Sequence, residues 1–134
     1  TGYIDTNFSG KADAAIKELA NGQDLVYIHV EAPDECGHRH EIENKVKAIE
    51  IIDKEILGKI LPELEKYDDY KIMILPDHPT PLALKTHTND PVPFLIYQKC
   101  MAHDGVLKFC EKNAKETGVF IEKGPEIMKY FIKL

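Results

Sequence analysis

The chain has 134 residues, 43% of them apolar and 30% charged, which suits one domain with one core and is too little for two. No apolar run approaches the roughly 18 residues a membrane span needs, so no membrane partner is expected. A net charge of −6 without a basic stripe speaks against nucleic acid, because nothing is arranged to neutralise phosphates.

Cys36, Cys100 and Cys110 are widely spaced and form neither a CxxC pair nor a dense disulfide scaffold, so a reducing cytoplasm is expected. The opening residues, Thr1 to Asn7, lack the basic start and apolar stretch of a signal peptide, and an initiator Met is absent. The sequence therefore reads as processed, cloned or cleaved from something longer.

Taken in order, residues 1–7 read as a loop, and Asn7 or Ser9 stands where a cap would start a helix. That helix runs to about Ala20 through Ala12, Ala15, Ile16 and Leu19, and Asn21-Gly22 stops it. Leu25 to Val30 is a strand-like run ending in a polar, Pro-containing turn, residues 31–40. From about Glu41 to Lys66, Ile42, Val46, Ile49, Ile52, Ile56, Ile60 and Leu64 recur at spacings of three or four, predicting a long amphipathic helix. Gly58 and Pro62 are its natural break points.

Lys71 to Leu75 is a short apolar run of the kind expected for a strand buried on both faces of a parallel sheet. With a helix between it and the earlier run, a βαβ crossover is the expected unit and the fold class is α/β. A third strand is predicted over Val92 to Tyr97, with Pro93 in its first turn or at an edge. Residues 99–118 are polar, with one or two helical turns over Glu111 to Glu116. A final helix starts near Pro125 and turns Ile127, Met128, Phe131 and Ile132 inward.

Both strand-like runs deliver polar residues to the loops that follow them, where open α/β sheets hold ligands. The first loop carries Asp34 and His38, and the second carries Asp77, His78 and then His87. Two carboxylates and three imidazoles so placed read as ligands for divalent metal. Asp34 and His38 are four apart, but Pro33 and Gly37 disfavour a regular helix, so a turn would have to aim them together. The alternative is that Asp34 caps the long helix and His38 lies on the surface. Asp77-His78 directly after a buried strand points to metal binding or catalysis, since buried charge is costly unless paired or metal-bound. On pattern alone His87 is an ordinary loop histidine, His29 a satisfied core or sheet histidine, and His40 and His103 solvated. Lys11 belongs to a polar helix start or faces an anionic ligand. No serine sits in a nucleophile elbow, no glycine-rich phosphate loop is present, and no cysteine has the partner a nucleophilic thiol needs.

Four stretches carry a resemblance: TGYIDTNFSGKADAAI at the start, PDECGH at 33–38, LPDHPTP at 75–81 and THTNDPVPF at 86–94. Together, and in this order, they resemble the cofactor-independent phosphoglycerate mutases of the branch first described in archaea, within the alkaline phosphatase superfamily. The resemblance covers nearly the whole chain and is strongest from Thr1 to Tyr97. It implies a three-layer α/β/α core with a mostly parallel sheet and two divalent cations, Mn2+ or Mg2+. By motif, Asp34, His38 and His87 would hold one cation, and Asp77 and His78 would belong to the other.

The resemblance also implies the reaction, interconversion of 2- and 3-phosphoglycerate in glycolysis through a phosphoserine intermediate. The family's serine nucleophile, and an aspartate completing the second metal site, belong to an N-terminal half whose motifs do not occur here. Residues 1–134 are then a single domain, the C-terminal part of the metal-binding core of a longer enzyme, inactive alone. The implied partners are phosphoglycerate, the missing N-terminal part, and other copies of the fragment through its exposed apolar edges. Two alternatives remain: a phosphatase or phosphotransferase of the same superfamily, such as relatives labelled homoserine kinase, and a non-catalytic structural domain.

Overall fold

The computed structural model describes residues 2–101 and 105–133. The described residues group into two compact units, one running to Asp68 and including Thr80–Thr88, the other built from Asp69–Pro79 and the residues from Asn89 on. His103, expected to be solvated, lies outside the described residues.

In the first unit, helix α1 spans Phe8–Ala20 and starts as its sequence predicts, with the Asn7 side chain accepting from the Gly10 N–H at 2.8 Å. Phe8, Ala12 and Ala15 form its buried stripe. Gly22, at φ 94°, takes the left-handed conformation just beyond the helix end that glycine adopts without strain. Residues 25–30, expected as a strand, pair with no strand among the described residues. Their exposure still alternates with period two, the pattern of an extended chain. Hydropathy encodes that extension but not the neighbour a ladder requires.

The turn expected over residues 31–40 is instead helix α2, Ala32–His38. Pro33 is tolerated because it lies in the first turn, where a backbone N–H has no intrahelical acceptor to lose. Gly37 sits close to the C-terminal end, and the chain leaves through His40 at φ 58°.

The long predicted helix is present but broken. Helix α3 covers Ile42–Ile51, a π-helical segment covers Ile52–Leu57, and helix α4 covers Gly58–Leu64 with Pro62 inside it. The Gly58 N–H donates to the Asp53 carbonyl, five residues back. This wider turn holds one extra residue and re-phases the apolar stripe by roughly 100°. Ile56, Ile60 and Leu64 are accordingly buried, whereas Ile42, Val46 and Ile49 are each more than half exposed and Ala48 takes the buried position of α3. The even spacing in the sequence concealed this split. Helix α1 packs on the π segment and α4, and the fully buried Ala12 permits close approach.

In the second unit, strand β1, Lys71–Ile74, pairs antiparallel with β2, Leu95–Gln98, in the register Ile72↔Tyr97 and Met73↔Ile96. This corrects two expectations. Among the described residues the sheet is two-stranded and antiparallel, and the four β1 residues are half-buried rather than covered on both faces. β2 also starts at Leu95, three residues later than predicted. Pro91 and Pro93 have no N–H to give a ladder. Asp69 closes the far end of the pair, accepting from Gln98 Nε2 at 2.7 Å, from the Tyr70 N–H at 2.9 Å and from the Cys100 N–H at 3.3 Å. These donors, Gln98 first, hold its carboxyl below the usual carboxylate range. Helix α5, Glu111–Glu116, is the short helix expected, and a 3-10 turn at Gly124–Glu126 leads into α6, Ile127–Lys133. Phe131 is buried as expected and Ile127 and Met128 are half-buried, but Ile132 points outward at 68% exposure.

Candidate metal centre

Helix α2 decides the geometry of the first cluster. Residues four apart on a helix share a face, and Asp34 Oδ2 lies 3.4 Å from His38 Nε2. The 80–88 segment brings in His87, whose Nε2 is 3.4 Å from Asp34 Oδ1 and 3.0 Å from His38 Nε2. A carboxylate and two imidazoles therefore converge within the first unit, with the ring centroids 4.9 Å apart.

His38 and Asp34 are each held from behind. His38 Nδ1 is 2.9 Å from the Lys85 carbonyl oxygen, and since a carbonyl only accepts, Nδ1 carries the proton and Nε2 presents its lone pair to the cluster. Metal-ligating histidines characteristically spend their second nitrogen this way. Lys85 offers that carbonyl from a left-handed backbone conformation, φ 56°, which is uncommon for a residue with a side chain. Thr80, buried at 5% exposure, donates its hydroxyl to Asp34 Oδ1.

The segment itself is tied down at two more places. Lys45 Nζ donates to the Thr80 carbonyl at 2.7 Å, and His40 Nδ1 is 2.6 Å from the Leu82 carbonyl. His40 is thus exposed yet engaged, rather than simply solvated. At Gly37 a Cβ would stand 2.7 Å from the Thr80 carbonyl oxygen, so the close approach of α2 to the segment requires glycine there.

This donor set fits a divalent cation chemically. A lone pair on His38 Nε2, facing another ring nitrogen and a carboxylate oxygen at these distances, is relieved by a positive charge between them. Imidazole with carboxylate is a donor mixture that first-row divalent metals accept.

The second predicted pair lies in the other unit, just beyond β1. Asp77 Oδ1 accepts the His78 N–H at 3.1 Å, and Asp77 Oδ2 is 3.3 Å from His78 Nε2. Lys11 stands in the first turn of α1, half-buried, and its side chain makes no hydrogen bond or ion pair among the described residues. His29, expected in the core or a sheet, is a surface group stacked on Tyr27 and 3.5 Å from Glu31 Oε1, because the run that carries it has no sheet around it. Sequence pattern does not mark Thr80, Lys45 and Gly37 as functional. A threonine between two prolines and a glycine three residues after Asp34 were the available signals, and neither specifies a partner.

Residues 2–133 match the family described as the Metalloenzyme superfamily. The chain belongs to this superfamily. Other similarities agree with membership. Over 133 residues it is 46% identical to a probable 2,3-bisphosphoglycerate-independent phosphoglycerate mutase of Geobacter sulfurreducens, covering 98% of this chain and 33% of that protein. It is 47% identical to the 2,3-bisphosphoglycerate-independent phosphoglycerate mutase of Methanosarcina acetivorans, covering 100% of this chain and 34% of that one. Among solved structures, the PH0037 protein from Pyrococcus horikoshii matches with a TM-score of 0.83 at 30% identity, over 99% of this chain and 39% of its own. The chain thus spans about a third of the length of the curated relatives it matches. Metalloenzyme membership makes the clustered donors on α2 and the 80–88 segment the natural metal-site candidates. All three cysteines are free thiols, and no helix among the described residues is long and apolar enough to cross a membrane.

Proposed function

We propose that this chain is the C-terminal, metal-binding portion of a cytoplasmic phosphoglycerate mutase that interconverts 2- and 3-phosphoglycerate through a phosphoserine. The observation that carries the reading is the convergence of Asp34, His38 and His87 in a chain whose relatives bear that name. Asp34, His38 and His87 hold one divalent cation, and Asp77 and His78 contribute to a second, manganese or magnesium in each case. When bound, such a pair polarises a phosphoryl oxygen and activates a hydroxyl nucleophile.

The residues of this chain orient and exclude. Lys85 and Thr80 fix the directions of His38 and Asp34, so the donors are set before the phosphoryl group arrives. The one serine of the sequence, Ser9, is engaged by Lys59 Nζ at 2.6 Å on α1. The resemblance places the serine nucleophile in an N-terminal half whose motifs do not occur here, so this reading takes it from a further part of the enzyme, the chain's first partner. In the intact enzyme these residues belong to a three-layer α/β/α core of the alkaline phosphatase kind. On its own, the exposed Ile42, Val46 and Ile49 favour association between copies.

The test is a coupled assay on the full-length protein that contains this chain. It is expected to convert 3-phosphoglycerate to 2-phosphoglycerate with manganese and to lose turnover on Asp34→Asn or Asp77→Asn. Release of inorganic phosphate without the isomer would replace the mutase by a phosphatase.

A further inference from the structure

We infer that Thr80 is a positioning residue for the Asp34 carboxylate, setting which oxygen faces which imidazole. The inference rests on the reading of Asp34 as a metal ligand. The terminal torsion of an aspartate is broad and roughly two-fold, so the contact of Oδ2 with His38 inside α2 leaves room for a second constraint on the other oxygen. The Thr80 hydroxyl supplies the constraint from outside the helix. It is buried, and facing a carboxylate it has to donate; the acceptor is Oδ1. Oδ1 is also the oxygen 3.4 Å from His87 Nε2, while Oδ2 is the one 3.4 Å from His38 Nε2. This hydrogen bond therefore favours one assignment of the two oxygens.

Thr80 can do this because its own backbone is fixed. Lys45 Nζ, reaching from α3, donates to its carbonyl at 2.7 Å, and the absence of a side chain on Gly37 leaves room for that carbonyl against α2. Loss of the hydroxyl would leave the segment attached through Lys45, His40 and His38 but remove this constraint on the carboxylate. Supporting residues of this kind act on metal affinity more than on the fold.

Manganese titration calorimetry on the full-length protein that contains this chain tests the inference, alongside thermal melts in chelator. Thr80→Val, which keeps the shape and removes the donor, is expected to weaken manganese binding about ten- to a hundred-fold. Thr80→Ser, which keeps the donor, is expected to bind close to the parent. Thr80→Val binding like the parent, or Thr80→Ser failing as badly as Thr80→Val, would overturn the inference. So would a loss confined to the melt in chelator, since a purely structural threonine would give that. Asp34→Asn separates the two levels. If it abolishes binding while Thr80→Val does not, the metal reading stands and the positioning role falls. If Asp34→Asn binds like the parent, or the parent binds no manganese, the metal reading falls and takes this inference with it.

Discussion

The His38 ring gives its Nδ1 proton to the carbonyl oxygen of Lys85, 2.9 Å away across 47 residues of sequence, and so turns its Nε2 lone pair toward Asp34 and His87. One side chain thereby serves two tasks, tethering the 80–88 segment and presenting a donor. The tasks are separable. Asparagine places an amide N–H near the position of Nδ1 and nothing at Nε2. His38→Asn is expected to retain the parent melting temperature in chelator while losing at least about tenfold in manganese affinity, roughly 1.4 kcal/mol. Calorimetry and a melt on the same sample check both halves.

Two glycines in helices should respond in opposite directions to the same substitution. Alanine is favoured over glycine in a helix by about 0.5–1 kcal/mol. At Gly58 an added Cβ meets only the Asp53 carbonyl at 3.6 Å, an ordinary contact, so Gly58→Ala should raise stability by about that amount. At Gly37 it meets the Thr80 carbonyl oxygen at 2.7 Å and Thr80 Cγ2 at 2.9 Å. Overpacking of this kind costs about 1–3 kcal/mol, which exceeds the propensity gain. Gly37→Ala should therefore destabilise, and manganese affinity should fall with it because the 80–88 segment is displaced. Urea denaturation of the two variants, compared with the parent, reads the signs directly.

The junction between α1 and the π segment with α4 offers a contrast between apolar and ionic contributions. Ile56 is 4% exposed, and Ile56→Ala is expected to cost about 2–5 kcal/mol through lost burial and the cavity left behind. Lys59 makes two hydrogen bonds of 2.6 Å, to Ser9 Oγ and Asp13 Oδ1. Its side chain is nevertheless 37% exposed and that of Asp13 62%, so solvent offsets most of the attraction. Lys59→Met should change stability by about 1 kcal/mol or less. Equal losses in denaturant melts would mean the ionic bridge holds α1 in place as firmly as the packed stripe does.

Legibility in the sequence tracked the range of the interaction. The Asn7 cap, the stop at Gly22, the β1 run, the short helix at Glu111 and the buried Phe131 depend on neighbours a few residues away, and the structure has them. The pairing direction of β1 and the fate of residues 25–30 depend on distant partners, and local hydropathy misled about both. Pro33 and Gly37 count against a helix at Ala32–His38 only when their positions are ignored. At the first turn and near the last, those residues break nothing. The π segment was invisible because a stripe repeating every three or four residues looks the same whether or not a wider turn interrupts it. Motif resemblance groups Asp34, His38 and His87; spacing alone leaves them undecided. Thr80 and Lys45 escaped because their roles are contacts across 46 and 35 residues.

Acid stability should be set in part by the tie between the opening segment and α3. The Tyr3 hydroxyl donates to Glu41 Oε2 at 2.5 Å, Asn44 Nδ2 donates to the same oxygen at 2.7 Å, and the Arg39 guanidinium lies 4.3 Å from the centre of the Tyr3 ring. Asn44 first and Tyr3 second hold the Glu41 carboxyl below its ordinary value of 4.5. A carboxyl lowered by folding adds stability above its unfolded value, and that stability drains away as pH falls through the folded value. The loss belongs below about pH 4.5. The same bond raises the Tyr3 phenol above 10.0, so its contribution is complete below that pH and is lost as pH climbs through the raised value. Tyr3→Phe removes the hydrogen bond at both ends. Melting temperatures across pH should then fall less steeply for the variant than for the parent on the acid side of 4.5 and on the alkaline side of 10, with the largest gap between them at neutral pH. The absence of a gap at every pH would mean that Tyr3 stabilises the fold by its ring against Arg39, which phenylalanine keeps, and not by its hydroxyl.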